Sequence, residues 1–127
     1  MTTIEGNKLI AEFNEDEIKL TSDHPDVKIW IRNKHTKRFS KDSYWPINSA
    51  QYDCSWDWLM PVVEKIENTN RVNDNEYYPY MVTIWKNCCL ITDGNNGYDV
   101  IRIYSETKIE SIWLAVVAFI KWYNKQS

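Results

Sequence analysis

Several of the side chains that could take part in chemistry lie within one tryptophan-rich segment of this sequence. Residues 52–66 read YDCSWDWLMPVVEKI. A cysteine thiolate attacks as a nucleophile when a general base lies beside it, so Cys54 could work with His24 or His35. Nothing in the spacing brings these side chains together, and burial is the commoner fate of a cysteine. The sequence therefore favours a structural role for Cys54.

Carboxylates offer a second kind of chemistry, because paired acids serve acid–base catalysis and hydrolysis. Glu64 and Glu67 are three residues apart and share a helix face, but a solvated face has the same pattern. An enzyme would need a pocket in which Asp53 or Asp57 faces a histidine or a second acid. A small enzyme with an unrecognised carboxylate site remains an alternative. No catalytic residue, metal ligand or cofactor is predicted.

A third candidate is nucleic-acid binding by a basic hairpin. Residues 28–41 contain no acid, and they carry Trp30 and Phe39, whose rings could stack on bases. The predicted nucleic-acid contacts are Arg32, Lys34, Lys37 and Arg38. The formal net charge of the whole chain is −3, which is the wrong sign for a dedicated nucleic-acid binder. Nucleic-acid or nucleotide binding is therefore less favoured than protein binding, but it is the first alternative, ahead of the enzyme.

Aromatic residues are unusually abundant, with seven tryptophans, eight tyrosines and three phenylalanines in 127 residues. A core of this size holds part of them, and the surplus rings are the kind of residue that anchors partner interfaces. The predicted contact residues are those that lie at turns or on the less apolar sides of their elements: Trp30, Trp45, Trp58, Tyr77, Tyr78 and Tyr80.

The elements that position these residues follow from hydrophobic periodicity. Helices are predicted over residues 55–68, with Ser55 as N-cap, and over residues 108–124, where Thr107 and Glu110 match a capping box. Pro61 leaves two alternatives for the first helix, a separate turn before it or one kinked helix. Residues 9–13 favour a short helix or turn.

Strands are predicted from the alternation of apolar side chains in residues 27–32, and elsewhere from runs of β-branched or aromatic residues bounded by turn residues. A meander is expected from residues 80–85, 88–92 and 100–104, and an additional hairpin from residues 27–32 and 38–45. The fold class is therefore α+β, with a small antiparallel sheet, a β-meander plus an additional hairpin, packed by two helices. At 127 residues the chain is expected to form a single domain.

Four segments resemble a known family. They are NKLIAEF at residues 7–13, SWDWLMPVVEKIE at residues 55–67, VTIWKN at residues 82–87 and KIESIWLAVVAFIKWYN at residues 108–124. Together they resemble a family of small uncharacterised proteins encoded in phages, prophages and mobile elements of Bacteroidota-type bacteria. The resemblance implies a biological context, an accessory protein that binds a host or phage macromolecule, and it implies no activity.

The remaining features bear on location and partner. The longest apolar run, residues 112–120, is shorter than the roughly 20 residues that span a bilayer, so the protein is expected in the cytoplasm without membrane contact. An odd number of cysteines favours reduced thiols there. The leading interpretation is a non-enzymatic accessory protein with a protein partner. A homodimer is a further possibility.

Overall fold

Three helices and two small antiparallel sheets make up the described part of the chain. The computed structural model describes residues 2–15, 17–20, 29–32, 45–69, 78–94 and 97–126. The helices are α1 (Thr3–Phe13), α2 (Trp56–Glu67) and α3 (Lys108–Asn124), and a short 3₁₀ helix, Ile47–Ser49, precedes α2. The strands are β1 (Glu17–Leu20), β2 (Ile29–Arg32), β3 (Trp45–Pro46), β4 (Met81–Trp85), β5 (Cys88–Thr92) and β6 (Asp99–Tyr104). The predicted α+β class is confirmed.

The first sheet has the order β1-β2-β3, and its β2–β3 pair overlaps the predicted hairpin at residues 29–32 and at residue 45. Ile31 of β2 is paired with Ile18 of β1 and with Trp45 of β3. The predicted partner strand, residues 38–45, is described only at Trp45; residues 27–28 and 38–44 lie outside the described residues. The sequence did not predict β1, because four residues are too few for a period-two pattern to stand out.

The second sheet is the predicted meander, in the order β4-β5-β6. Its register pairs Ile91 of β5 with Val82 of β4 and with Ile101 of β6, so these three side chains share one face. The turn between β4 and β5 begins at Lys86, whose φ is +53°. Tight hairpin turns need a positive φ at this position, and a lysine here replaces the usual glycine or asparagine.

The helices α1 and α3 both begin at threonine N-caps. At α1 the Glu5 N–H donates to Thr2 Oγ1 (3.1 Å) and the Thr2 N–H donates to Glu5 Oε2 (3.5 Å). These two bonds complete a capping box that was not predicted. At α3 the Glu110 N–H donates to Thr107 Oγ1 (3.2 Å), but the Glu110 side chain does not return a bond. The box predicted at Thr107 is therefore half formed.

The helix α2 runs without interruption through Pro61, which decides between the two predicted alternatives in favour of one helix. Ser55 occupies the predicted N-cap position, yet its side chain makes no capping bond. Proline lacks the N–H of a normal helical hydrogen bond. The helix tolerates this loss because its buried residues, Trp58, Leu59, Val62, Val63 and Ile66, fix it against the core.

The core lies between α3 and the inner face of the meander, with α1 and α2 also packed against α3. The ring of Phe119 meets Tyr80 edge to face at 4.9 Å between centroids and stacks on Tyr123 at 5.6 Å. Such aromatic contacts contribute about 0.5–1.5 kcal/mol each beyond area burial. None of the helices in the described part of the chain has the length and apolar character needed to cross a bilayer.

Candidate functional site

Two of the predicted contact residues are core residues, and the prediction of an exposed role for them is wrong. Trp58 is 6% exposed and meets the buried Tyr52 edge to face at 5.0 Å between ring centroids. Tyr80 is 2% exposed and packs against Phe119 and Trp122. Both rings hold the core together, so neither is available to a partner while the protein is folded.

The structure describes the other predicted contact residues only in part. Tyr78 is described and is half-buried, just ahead of β4. Trp30 and Trp45 lie in β2 and β3, whose backbones alone are described, and Tyr77 lies outside the described residues. Their contact role stays a prediction.

The predicted nucleic-acid contacts have a similar outcome. Arg32 is the last residue of β2, where it is paired with Glu17 of β1 along the backbone register. Lys34, Lys37 and Arg38 lie outside the described residues. Nucleic-acid binding through this hairpin therefore stays an untested alternative.

The largest exposed rings of the described strands lie on one face of the meander. Trp85 of β4 and Tyr104 of β6 are 66% and 65% exposed, and both are paired in register with Cys88 of β5, which lies between them. Met81, at the other end of β4, is 58% exposed. We call this surface the outer face; its residues are Met81, Thr83, Trp85, Cys88, Leu90, Thr92, Arg102 and Tyr104.

Charge on the outer face is small and partly compensated. Arg102 donates from Nε to Asp99 Oδ2 at 3.1 Å and makes a second bond to the same oxygen from Nη2, so its charge has a partner. The Lys86 ammonium lies 4.9 Å from the centroid of the Trp85 ring, a cation–π contact. The described side chains thus surround the apolar centre with a nearly neutral rim.

Strand alternation was the signal that could have identified this face. Val82 and Ile84 are the aliphatic β-branched residues of β4 and point inward, so Trp85 has outward parity, while Tyr80 has the inward parity of Val82. In α2 the corresponding signal is helical phase. Trp58 shares the buried side with Val62, whereas Trp56 lies off that side and is exposed.

A cleft on another part of the molecule holds the polar residues of the segment that precedes α2. It has a volume of about 400 Å³ and lies between the first turn of α1, the 3₁₀ helix and residues 50–54. At its base is Asn7, a buried polar side chain only 2% exposed. We call it the Asn7 cleft.

Asn7 uses all its donors in joining three parts of the chain. Its Nδ2 donates to Ala50 O (3.2 Å) and to Asp53 Oδ1 (3.0 Å), and its Oδ1 accepts from the indole N–H of Trp113 (2.9 Å). A buried amide with its donors satisfied stabilises the fold, and a partner left unpaired would cost about 1–3 kcal/mol. Asp53 is thereby held in a fixed orientation at the wall of the cleft.

The chemistry of the cleft is that of a carboxylate beside a neutral thiol. Burial, and secondly the negative charge of Asp53, raises the pKa of the exposed Cys54 thiol, so the reactive thiolate is disfavoured at neutral pH. Asp53 is the single acid among the described residues that line the cleft, and Asp57 is not among them. Both histidines lie outside the described residues. The carboxylate pair that an enzyme would need is therefore not assembled by the described residues of the cleft.

Comparison with known proteins gives no relative. No family model matches the sequence, and neither a curated protein nor a solved structure matches it. Any proposal about function therefore depends on the geometry of the outer face and of the cleft.

Proposed function

We propose that this protein is a non-enzymatic binding protein that recognises another protein through the outer face of its meander. The observation that supports this most directly is the pair Trp85 and Tyr104, each about two-thirds exposed on one row of the same sheet face. Tryptophan and tyrosine are the residues that most often dominate binding energy at protein interfaces.

The size of the apolar surface suits the centre of an interface. A large aromatic side chain has about 150–250 Å² of surface, so two rings exposed by two-thirds offer roughly 200–330 Å². With Met81 and Leu90 the surface falls within the roughly 300–600 Å² of the largest, often functional, patches on monomeric proteins. A standard interface buries about 800 Å² on each partner, so polar rim residues would supply the remainder.

The charge of the outer face favours a protein over a nucleic acid. Phosphate binding requires several cations with no acidic partner. Arg102 is paired with Asp99, and Lys86, in the turn beside this face, is then the one further cation described next to it. A protein surface with an apolar centre matches this face better.

The resemblance to proteins of phages, prophages and mobile elements supports a cytoplasmic accessory role for this protein. In such a setting the partner is a host or phage protein, and binding alone would change its activity. A neutral, ring-bearing face is consistent with that role, since it provides affinity without catalytic groups.

Affinity capture tests the proposal when a ring-deficient variant is compared with a matched control. The immobilised protein is exposed to a nuclease-treated lysate of a Bacteroidota-type bacterium, and captured proteins are quantified by mass spectrometry. The test variant combines Trp85→Ser with Tyr104→Ser. The control is Tyr98→Ser, which removes a ring that is at least as exposed, just before β6 at the opposite end of the sheet.

We expect one protein or complex to be enriched by the wild type and by Tyr98→Ser and lost with the double variant. Each hot-spot ring contributes at least about 2 kcal/mol, so losing either one should weaken binding of the purified partner about 30-fold. An unchanged melting temperature of the double variant would show that its fold is intact. Equal recovery by the wild type and the double variant would refute the proposal. Sedimentation of the protein alone separates a second copy from a different partner.

A further inference from the structure

We propose that the Asn7 cleft binds a small ligand that carries a primary ammonium group on a short hydrocarbon body. The site uses none of the residues of the outer face, so it is independent of the proposed protein-binding function. It would give the protein a second, small-molecule specificity.

The carboxylate of Asp53 is the group that selects a cation. Its Oδ1 accepts a hydrogen bond from Asn7, and its Oδ2 has no hydrogen-bond partner among the described residues. None of the described residues lining the cleft is a lysine or arginine that would neutralise it. An ammonium group donates up to three hydrogen bonds, and a bond to a carboxylate is about twice as strong as a neutral one.

Asn7 acts as a positioning residue in this site. Its Nδ2 hydrogens are already donated to Ala50 and Asp53, and its Oδ1 is occupied by Trp113. It therefore fixes the carboxylate in place instead of contacting the ligand. A prepositioned acceptor lowers the cost of binding, because less freedom is lost when the ligand arrives.

The hydrocarbon part of the ligand is argued from the apolar side of the cleft. Ile4, on the first turn of α1, leaves 42% of its surface exposed at the rim, and the buried Ile47 forms part of the lining. The volume of about 400 Å³ is near the lower end of the roughly 300–1,000 Å³ range of small-molecule sites. A body of a few carbons or one ring would cover Ile4 and leave the ammonium beside Asp53.

The experiment is an NMR titration of the ¹⁵N-labelled protein with phenethylammonium, with 2-phenylethanol and 3-phenylpropionate as the neutral and anionic counterparts. The indole N–H of Trp113 reports on the cleft through Asn7, and its signal is identified as the one missing from Trp113→Phe. The backbone amides of Gln51, Asp53 and Cys54 give a second readout. We expect saturable shifts with the ammonium probe alone, with a Kd of about 1 mM for so small a ligand.

Two aspartate-to-asparagine variants, one inside the cleft and one outside it, test whether the charge of Asp53 is required for binding. Asp53→Asn removes the charge but keeps an oxygen that can accept from Asn7, and it should weaken binding about 10- to 100-fold. Asp57→Asn removes an exposed carboxylate from the first turn of α2, outside the described lining, and should leave binding unchanged. Equal shifts with the alcohol, binding that survives Asp53→Asn, or no saturable shift with any probe would each overturn the proposal.

Discussion

The substitution Gly6→Ala tests the packing between α1 and α3 most sharply, because two effects of opposite sign compete. Gly6 lies inside α1 and is buried. A Cβ atom built on it would lie 2.5 Å from Trp113 Cζ2, 2.8 Å from Cη2 and 3.3 Å from Val117 Cγ2. Carbon atoms in contact normally keep about 3.5–4.0 Å apart. The indole would have to move to make room for the added methyl group.

The size of the effect on the free energy of unfolding is the sum of three contributions. Alanine is favoured over glycine in a helix by about 0.8–1.0 kcal/mol. Overpacking a well-filled core costs about 1–3 kcal/mol. A ring that moves away would also weaken the bond from Trp113 to Asn7, worth about 1 kcal/mol. The sum predicts a net loss of about 1–3 kcal/mol in the free energy of unfolding.

Urea denaturation followed by circular dichroism measures this loss as a lower midpoint at constant slope. A double-mutant cycle with Trp113→Phe supplies the control, since removing the crowded indole atoms should recover about 1–2 kcal/mol of the penalty. If Gly6→Ala were more stable than the wild type, helix propensity would prevail, and the close approach of α1 to Trp113 would be incorrect.

The remaining predictions concern the cysteines and the contrast between core and surface rings. In the native protein a thiol reagent should label Cys54 alone, while Cys88 and Cys89 should react only in denaturant; labelling of either in native buffer would contradict their burial. Burial, and secondly the charge of Cys88, raises the pKa of the Cys89 thiol to about 12 in the folded protein. In the unfolded chain the same thiol ionises once the pH exceeds about 8.5, well before it does so in the folded protein. The wild type should therefore lose stability relative to Cys89→Ala between that pH and 12, by up to about 1.4 kcal/mol per pH unit, and parallel curves in alkaline denaturation would refute this. Tyr80→Ala should lower the free energy of unfolding by about 3–5 kcal/mol and Trp85→Ala by less than about 1 kcal/mol, as measured by urea denaturation; similar losses would mean that the faces of β4 are misassigned.

Local patterns in the sequence were sufficient to predict most elements in the second half of the chain. The run of β-branched and aromatic residues over 80–85 predicts β4, and Thr107 followed by an apolar helical stripe predicts α3. These signals are strong because each is contained within one element. α1 was predicted only as a short helix or turn over residues 9–13, since the capping box at its start, Thr2 with Glu5, was not recognised.

The candidate sites were harder to predict from the sequence than the fold. They depend on which side of a strand or helix a ring occupies, and on contacts between residues far apart in the sequence. Surplus rings do lie on the surface, among them Trp85, Tyr98 and Tyr104. Trp58 and Tyr80, which were predicted to be contact residues, are buried. The bond between Trp113 and Asn7 joins residues 106 positions apart, and no local pattern indicates such a contact.

That bond also affects the order in which the chain can fold during synthesis. The indole of α3 donates to the buried amide of α1, and α1 leaves the ribosome well before α3. Until α3 has been made, Ile10 and Ala11 have no hydrophobic surface of that helix to pack against, and an isolated 11-residue helix is marginal in water. We expect α1 to remain unstable in the nascent chain until α3 has emerged, so that the contact between the two helices forms late in folding.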